Sequence, residues 1–185
     1  MLHPITLKIL IVILLCLYPM YGHGYDYFTA DQDPSIMRQL RNVDNYHTDK
    51  VMPSVRDGRM NVAIAELRYT LDNFPNHPQA LMLMDLVGRL TKEPSLALPY
   101  YEKALKLYPQ YALTHAQYGT YLVNIGQIEA GIAKLKQAIE IDPKLAVAHA
   151  WLAIAYSKNG APELARQAAE RAKGLGYRGK IPVEE

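Results

Sequence analysis

From Ala112 to Leu145 the chain reads ALTHAQYGTYLVNIGQIEAGIAKLKQAIEIDPKL, and these 34 residues decide the fold. Gly126 stands at a turn inside the stretch, where a glycine commonly ends a helix. Pro143 follows the helical segment LKQAIEID, which ends at Asp142. Because proline has no amide hydrogen, it ends one helix and fixes the start of the next. The stretch is therefore predicted to form two helices joined by a short turn.

The same pattern recurs along the chain with a fixed period. Pro75, Pro109 and Pro143 are each 34 residues apart. A turn residue and a small residue recur at fixed distances from these prolines, and both continue one period further. The turn residues are Gly58, Lys92, Gly126 and Gly160, and the small residues are Ala63, Ala97, Gly131 and Ala165. Such a period indicates units that cannot bury an apolar face alone and must stack on their neighbours.

This pattern resembles the tetratricopeptide repeat, a helix–turn–helix unit of 34 residues. The family pattern places small residues where two helices approach closely, and proline near the end of the unit. The stretch Ala112–Leu145 matches with Gly119, Ala138 and Pro143, and has Gly131 where alanine is expected. The resemblance implies an all-α fold, a right-handed α-solenoid of stacked helix–turn–helix units.

The resemblance covers about Asp44 to Gly179 and divides it into four units. Units one to four are residues 44–77, which is degenerate, 78–111, 112–145 and 146–179. Unit two departs from the family pattern at Asp85 and Gly88, and unit four has a degenerate end at Gly174 and Gly176. Alanine-rich helices in these units are thus expected to reflect packing and not catalysis.

The segments around the array have their own predictions. Residues 25–43 are interpreted as an N-terminal lead and a capping helix over Pro34–Val43, with Asp33 as its N-cap. Pro53 is expected to break or shorten the first helix of unit one. The C-terminal sequence GYRGKIPVEE, which ends in a tail at residues 180–185, is expected to be solvated.

The first residues, 1–24, are typical of a secretory signal peptide. The apolar run Ile9–Tyr18 is about half as long as a membrane span, Pro19 ends it, and Gly22-His23-Gly24 offers a cleavage site. The alternative is an uncleaved leader that anchors the chain in a membrane. The signal predicts export, to a periplasm of the bacterial type. The only cysteine, Cys16, lies in this segment, so the mature chain would form no disulfide.

Charge and histidine spacing exclude several function classes. The net charge of +2 gives no strong field that would indicate a nucleic acid partner. His47, His115 and His149 occupy the same repeat position, about 10 Å apart in successive units, so they cannot share a metal ion. His77, beside a proline, is expected to face solvent. No catalytic motif is present. We therefore expect no catalytic residue, no metal site and no cofactor, and hence no enzyme.

Four of the 14 tyrosines, all in units two and three, fall into two groups. Tyr101 and Tyr118 occupy repeat positions that usually pack in the core. Tyr108 and Tyr121 occupy less constrained positions, and exposed tyrosines often serve at interfaces.

The resemblance also implies a concave groove, lined by the first helix of each unit. Mapped onto this chain, the lining is unusually apolar, which usually marks a partner site. The partner-binding residues predicted in this way are Met82, Leu86, Arg89, Thr120, Val123, Asn124, Trp151, Ile154 and Lys158. An alternative is that the N-terminal helix or the tail fills the groove. The clamp by which some relatives hold a C-terminal carboxylate is absent.

The sequence therefore predicts an exported, non-enzymatic scaffold or adaptor that binds a protein or peptide segment, an amphipathic helix or an extended strand, in the groove. Assembly of a cell-envelope complex is the expected role, by analogy with small exported repeat proteins. The alternative is a structural scaffold that associates with copies of itself. The degenerate end near Gly174 and Gly176 argues against an open stacking surface there.

Overall fold

The structure is a computed structural model that describes residues 24–182. The predicted signal peptide lies outside this range except for Gly24, and so do Cys16 and the last three residues of the tail. None of the helices in the described part is both long enough and apolar enough to cross a lipid bilayer.

Residues 24–182 form the predicted all-α solenoid of stacked helical hairpins, with no strand in that range. A short 3₁₀ helix, Tyr27–Gln32, and a π-helical turn, Asp44–Thr48, accompany nine α-helices. The α-helices are α1 (Pro34–Val43), α2 (Asp49–Arg56), α3 (Met60–Asn73), α4 (Pro78–Leu90), α5 (Leu98–Leu107), α6 (Ala112–Asn124), α7 (Ile128–Ile141), α8 (Ala146–Lys158) and α9 (Pro162–Gly174). Helix α3 packs on α2, α7 on α6 and α9 on α8, and each hairpin stacks on the next.

The turns inside the hairpins explain the recurring glycines. Gly58, Gly126 and Gly160 have φ angles of 72°, 87° and 70°, in the left-handed region that glycine adopts without steric cost. In unit two the same position is Lys92, with φ 62°, where a side chain makes this conformation unfavourable. Unit two is therefore irregular at its turn.

The hairpin of unit three has the closest helix packing. A Cβ atom added to Gly131 would lie 2.6 Å from the carbonyl oxygen of Gly119 and 2.5 Å from Cγ2 of Val123. Both distances are shorter than real Cβ contacts. Glycine replaces the expected alanine at position 131 because the two backbones leave no room for a methyl group.

The N-terminal helices are more continuous than predicted. Asp33 caps α1 as expected, since its carboxylate accepts hydrogen bonds from the amides of Ser35 at 2.7 Å and Ile36 at 3.4 Å. The π-helical turn then joins α1 directly to α2. The prediction that Pro53 breaks a helix is wrong, because Pro53 lies inside α2, which continues to Arg56.

The lead before α1 packs against the turns between units. The amide of Tyr25 donates to the carbonyl of Asn73 at 2.6 Å. The ring of Phe28 stacks on Tyr111 with centroids 4.4 Å apart, and the Tyr108 hydroxyl donates to the carbonyl of Gly24. These contacts place the lead on the edge of the solenoid where one unit passes into the next.

His77 lies beneath this lead, and the prediction that it faces solvent is wrong. It is 2% exposed, and the ring of Tyr27 packs on it with centroids 4.7 Å apart. Its Nδ1 accepts a hydrogen bond from the amide of Ala80 at 3.2 Å, as the N-cap of α4. Nε2 therefore carries the proton and donates to Asp44 at 2.8 Å. Burial lowers the pKa of His77, although Asp44 opposes this effect.

Most described residues of the C-terminal sequence are exposed, as expected, and Ile181 is an exception. Ile181 is partly buried and packs against the core between units three and four, which contains Leu152 and Ala169. The C-terminal sequence therefore covers part of the last hairpin.

The close packing of unit three predicts opposite effects for two glycine substitutions. Gly131→Ala should lower the free energy of unfolding by about 1–3 kcal/mol, because a methyl group there collides with backbone atoms. The control is Gly174→Ala, since a Cβ at Gly174 meets no atom within 4 Å. The free energy of unfolding of that variant should be unchanged or higher by up to about 1 kcal/mol, and its urea midpoint should change accordingly. Equal urea midpoints for the two variants would contradict the packing assigned to Gly131.

The environment of His77 predicts a pH dependence of stability. Because its folded pKa is lowered, the unfolded chain binds a proton that the folded chain excludes, and stability falls as the pH drops below about 6.5. The free energy of unfolding is measured with urea for the wild type and His77→Gln at several pH values from neutral to acidic. It should depend less steeply on pH in the variant. The other histidines are the same in both proteins, so parallel curves would exclude this role of His77.

Candidate functional site

A pocket of about 200 Å³ lies between α4, α5, α6 and α8. The lining combines aromatic, polar and charged side chains from units two, three and four. The lining residues are Met82, Asp85, Arg89, Tyr101, Gln117, Thr120, Tyr121, Asn124 and Trp151. First helices of successive units contribute most of them, so the pocket is formed by stacking and no single unit contains it.

The structure brings some of the predicted partner-binding residues to this pocket and leaves others outside it. Those that line the pocket are Met82, Arg89, Thr120, Asn124 and Trp151. Those that do not are Leu86, Val123, Ile154 and Lys158. Of these four, Val123 is 6% exposed and belongs to the core between units three and four, whereas Lys158 is exposed at the end of α8. A role of these nine residues in binding a partner stays a prediction.

Sequence reasoning did not assign Asp85, Tyr101 and Tyr121 to the site, and it mapped Gln117 to the groove without naming it as a partner-binding residue. The expectation that Tyr121 is weakly constrained is wrong, because it is 0% exposed and its hydroxyl donates to the carbonyl of Pro94 at 2.9 Å. Tyr101 is a core residue as expected, and its ring stacks on those of Tyr118 and Tyr121. The one signal in the sequence was Asp85, a carboxylate at a position where the family pattern has a small residue.

The irregular hairpin of unit two explains why the pocket forms there. Asp85 occupies the repeat position that Gly119 has in unit three and Ala153 in unit four, where a small residue lets the two helices touch. Helices α4 and α5 have fewer close backbone approaches than the hairpins of units three and four. Helix α5 also begins at Leu98, later in its unit than α7 does at Ile128. The larger side chain and the late helix start leave space between the helices.

Hydrogen bonds fix one side of the polar lining. The Asn124 amide donates to Oδ2 of Asp85 at 3.2 Å, and the Gln117 amide donates to the carbonyl of Pro78 at 3.0 Å. Arg89 Nε lies 3.3 Å from Oδ1 of Asp85, close enough for an ion pair but not aligned for a hydrogen bond. The polar side chains of the pocket are thus held in place by residues from two units.

Three oxygen atoms in the lining have no hydrogen-bond partner among the described residues. They are Oδ1 of Asp85, Oε1 of Gln117 and Oγ1 of Thr120. Asp85 is 8% exposed and Gln117 is 3% exposed, so bulk water has little access to them. A buried polar atom without a partner costs about 1–3 kcal/mol, which makes a cluster of three at one pocket unusual for packing alone.

The electrostatics of the pocket follow from burial. Burial raises the pKa of Asp85, while the nearby Arg89 guanidinium and the Asn124 hydrogen bond lower it in part. Burial, with the neighbouring Asp85 carboxylate, raises the pKa of Tyr121 to about 12. The same two causes raise the pKa of Tyr101. Both tyrosines therefore keep their protons at neutral pH.

The repeated histidines have a structural role in place of a metal site. Nε2 of His115 lies 2.8 Å from the carbonyl of Pro109, and Nε2 of His149 lies 3.0 Å from the carbonyl of Pro143. Each histidine thus ties the start of a unit to the proline turn before it. Between Gly24 and Pro182, no three His, Cys, Asp or Glu side chains are close enough to hold a metal ion.

Comparison with protein families identifies the repeats. A family model described as "Tetratricopeptide repeat" matches residues 55–112, and one described as "TPR repeat" matches residues 119–160. The chain contains tetratricopeptide repeats. No match was found among the curated proteins.

Solved structures of other tetratricopeptide repeat (TPR) proteins share this fold at low sequence identity. The chain is similar to Pseudomonas aeruginosa pilF, with a TM-score of 0.57, 21% identity and coverage of 75% of this chain and 63% of that one. A MamA structure gives a TM-score of 0.53, 21% identity and coverage of 72% and 73%. YrrB is described as a TPR protein with an unusual peptide-binding site. Its structure has a TM-score of 0.53 and 19% identity, with coverage of 76% of this chain and 77% of that one.

The pocket lies across three successive units of this TPR array. It lies where first helices from three successive units converge, on Met82 of α4, Thr120 of α6 and Trp151 of α8. TPR domains bind protein or peptide partners, and an extended ligand could contact all three helices at once.

Proposed function

We propose that this chain is a non-enzymatic scaffold or adaptor that binds a segment of a partner protein across α4, α6 and α8. The observation that supports this proposal most strongly is the pocket between the three units, with its half-buried Trp151 and its unpaired oxygens. Met82, which lines the pocket, is 49% exposed and adds apolar contact surface. Aromatic anchors in partly formed pockets are common binding hot spots.

The chemistry of the pocket favours binding over catalysis. Its one carboxylate, Asp85, lies beside Arg89 and accepts a hydrogen bond from Asn124. The Tyr121 hydroxyl donates to the Pro94 carbonyl and not to Asp85, and Oγ1 of Thr120 has no hydrogen-bond partner among the described residues. A hydroxyl that no base activates is a weak nucleophile. The polar groups can therefore orient a ligand, and no pair of them is arranged to move a proton and form a bond.

The location and the pathway form a finer part of the proposal. We infer from the predicted signal peptide that the chain is exported to a periplasm and takes part in assembling a cell-envelope complex. The similarity to Pseudomonas aeruginosa pilF and to MamA is a similarity of fold, and it adds no function to this chain.

Export is tested on the protein made in its native cell. Soluble and membrane fractions are separated, and the purified chain is sequenced from its N-terminus. We expect a soluble envelope protein that begins at Tyr25, because cleavage after Gly24 would release the apolar run. A full-length chain in the membrane fraction would favour the anchored alternative, and one in the cytoplasmic fraction would overturn export.

Partner binding is tested by cross-linking in the native cell, identification of the captured protein by mass spectrometry, and titration of the purified pair. Trp151→Ala and Met82→Ala should each weaken binding, Trp151→Ala by more than about 1 kcal/mol, because each removes apolar area at the pocket. Leu164→Ala is the matched control, since Leu164 is 46% exposed and does not line the pocket.

Two results would count against this assignment. If the partner binds both pocket variants as tightly as the wild type, the pocket is not the binding surface. If light scattering of the purified protein alone shows oligomers that grow with concentration, the self-associating scaffold is the better description.

A further inference from the structure

Three oxygen atoms on the inner wall of the pocket have no hydrogen-bond donor among the described residues. Two of these atoms, Oδ1 of Asp85 and Oε1 of Gln117, can only accept, and the hydroxyl of Thr120 can accept as well. The side-chain amides of Asn124 and Gln117 already donate, to Asp85 and to a backbone carbonyl, and the Arg89 guanidinium lies 3.3 Å from Asp85 as its ion-pair partner. A ligand that fits this wall must therefore donate several hydrogen bonds at once.

The rest of the lining is aromatic. Tyr101, Tyr121 and Trp151 all contribute to the pocket. Tyr101 and Tyr121 stack on each other and on Tyr118, whereas Trp151 is partly exposed. The face of an aromatic ring attracts a cation, and the attraction increases when the cation is removed from water. The Trp151 ring together with the buried Asp85 carboxylate is suited to a positively charged group.

The charged side chains of the pocket wall also favour a positively charged ligand. Asp85 is the acidic residue of the lining, and Arg89 is its basic one. The Arg89 side chain is 47% exposed, so it lies at the mouth, and its Nε is not aligned for a hydrogen bond to Asp85. In the empty pocket Arg89 thus acts as a loosely held counterion, which a better donor can replace.

We propose that the pocket binds an alkylammonium group, supplied as the end of a lysine side chain in the partner segment. This inference rests on the proposed function and names the side chain that the segment presents. An ammonium group has three donors and no acceptor, which matches the three unpaired oxygens. At about 30 Å³ for each water-sized group, a pocket of about 200 Å³ also accepts the ammonium and its methylene stem.

The probes for the first test are n-butylammonium, butanamide and butyrate, titrated into the purified protein at constant ionic strength. Trp151 is the only tryptophan and lines the pocket, so its fluorescence reports binding directly. We expect butylammonium to bind about tenfold more tightly than butanamide, since charge-assisted hydrogen bonds are the stronger ones. Butyrate should cause no change.

Two variants test the assigned groups in opposite directions. Asp85→Asn keeps the size of the side chain and removes its charge, and it should weaken butylammonium binding about tenfold. Arg89→Gln removes the competing cation and should strengthen binding by a few fold. The control is Glu140→Gln, which removes one negative charge at an exposed position on α7. This variant should bind butylammonium as tightly as the wild type does.

The proposal is overturned if butanamide binds as tightly as butylammonium to the wild type, or if Asp85→Asn binds butylammonium unchanged. If Asp85→Asn fails to fold by circular dichroism, the comparison of the three probes on the wild type still decides. A blocked Ala-Lys-Ala peptide should bind more tightly than its norleucine counterpart and at least as tightly as butylammonium. If butylammonium binds more tightly than the Ala-Lys-Ala peptide, the ammonium group does not come from a lysine side chain.

These outcomes separate this inference from the proposed function. If the captured partner is lost by Trp151→Ala but binds Asp85→Asn at full strength, segment binding stands and the ammonium site is wrong. If butylammonium binds as expected while no partner is captured, the site stands and the scaffold function is wrong.

Discussion

The distance between the two helices of each hairpin is the constraint on which this structure depends. Side-chain volume at two facing positions sets that distance, because protein interiors are packed without spare space. In unit three both positions are glycines, Gly119 and Gly131, and the backbones nearly touch. In unit four they are Ala153 and Ala165, both fully buried. In unit two the first position is Asp85, and there the helices stand further apart.

The same departure gives unit two its pocket and its unpaired oxygens. A carboxylate at a packing position is costly, because burial disfavours its charged form and Asp85 Oδ1 has no hydrogen-bond donor among the described residues. Natural proteins keep such local costs mainly at sites that bind or react. The more regular units three and four supply Gln117, Thr120, Tyr121, Asn124 and Trp151 to the lining, so their packing supports the irregular unit two.

The lead before the array shows a second use of aromatic residues. Tyr25, Tyr27 and Phe28 pack on Phe74, His77 and Tyr111 at the turns between units. In the described residues, the lead lies on this edge and contributes nothing to the lining of the pocket. The ends of the described chain therefore stabilise the solenoid while the pocket stays open, in contrast to the alternative that the N-terminal helix or the tail fills it.

The sequence by itself determined the repeat, the helical hairpins and the glycine turns, because period, proline spacing and small residues are local features that act in every unit alike. It also mapped Met82, Thr120 and Trp151 to one groove, since the first helices of stacked units lie side by side, and all three line the pocket. Only the tertiary structure decided that His77 and Tyr121 are buried and that Gln117 has an unpaired oxygen. Burial and hydrogen bonding depend on contacts between distant segments, such as Tyr27 on His77, which no local pattern encodes.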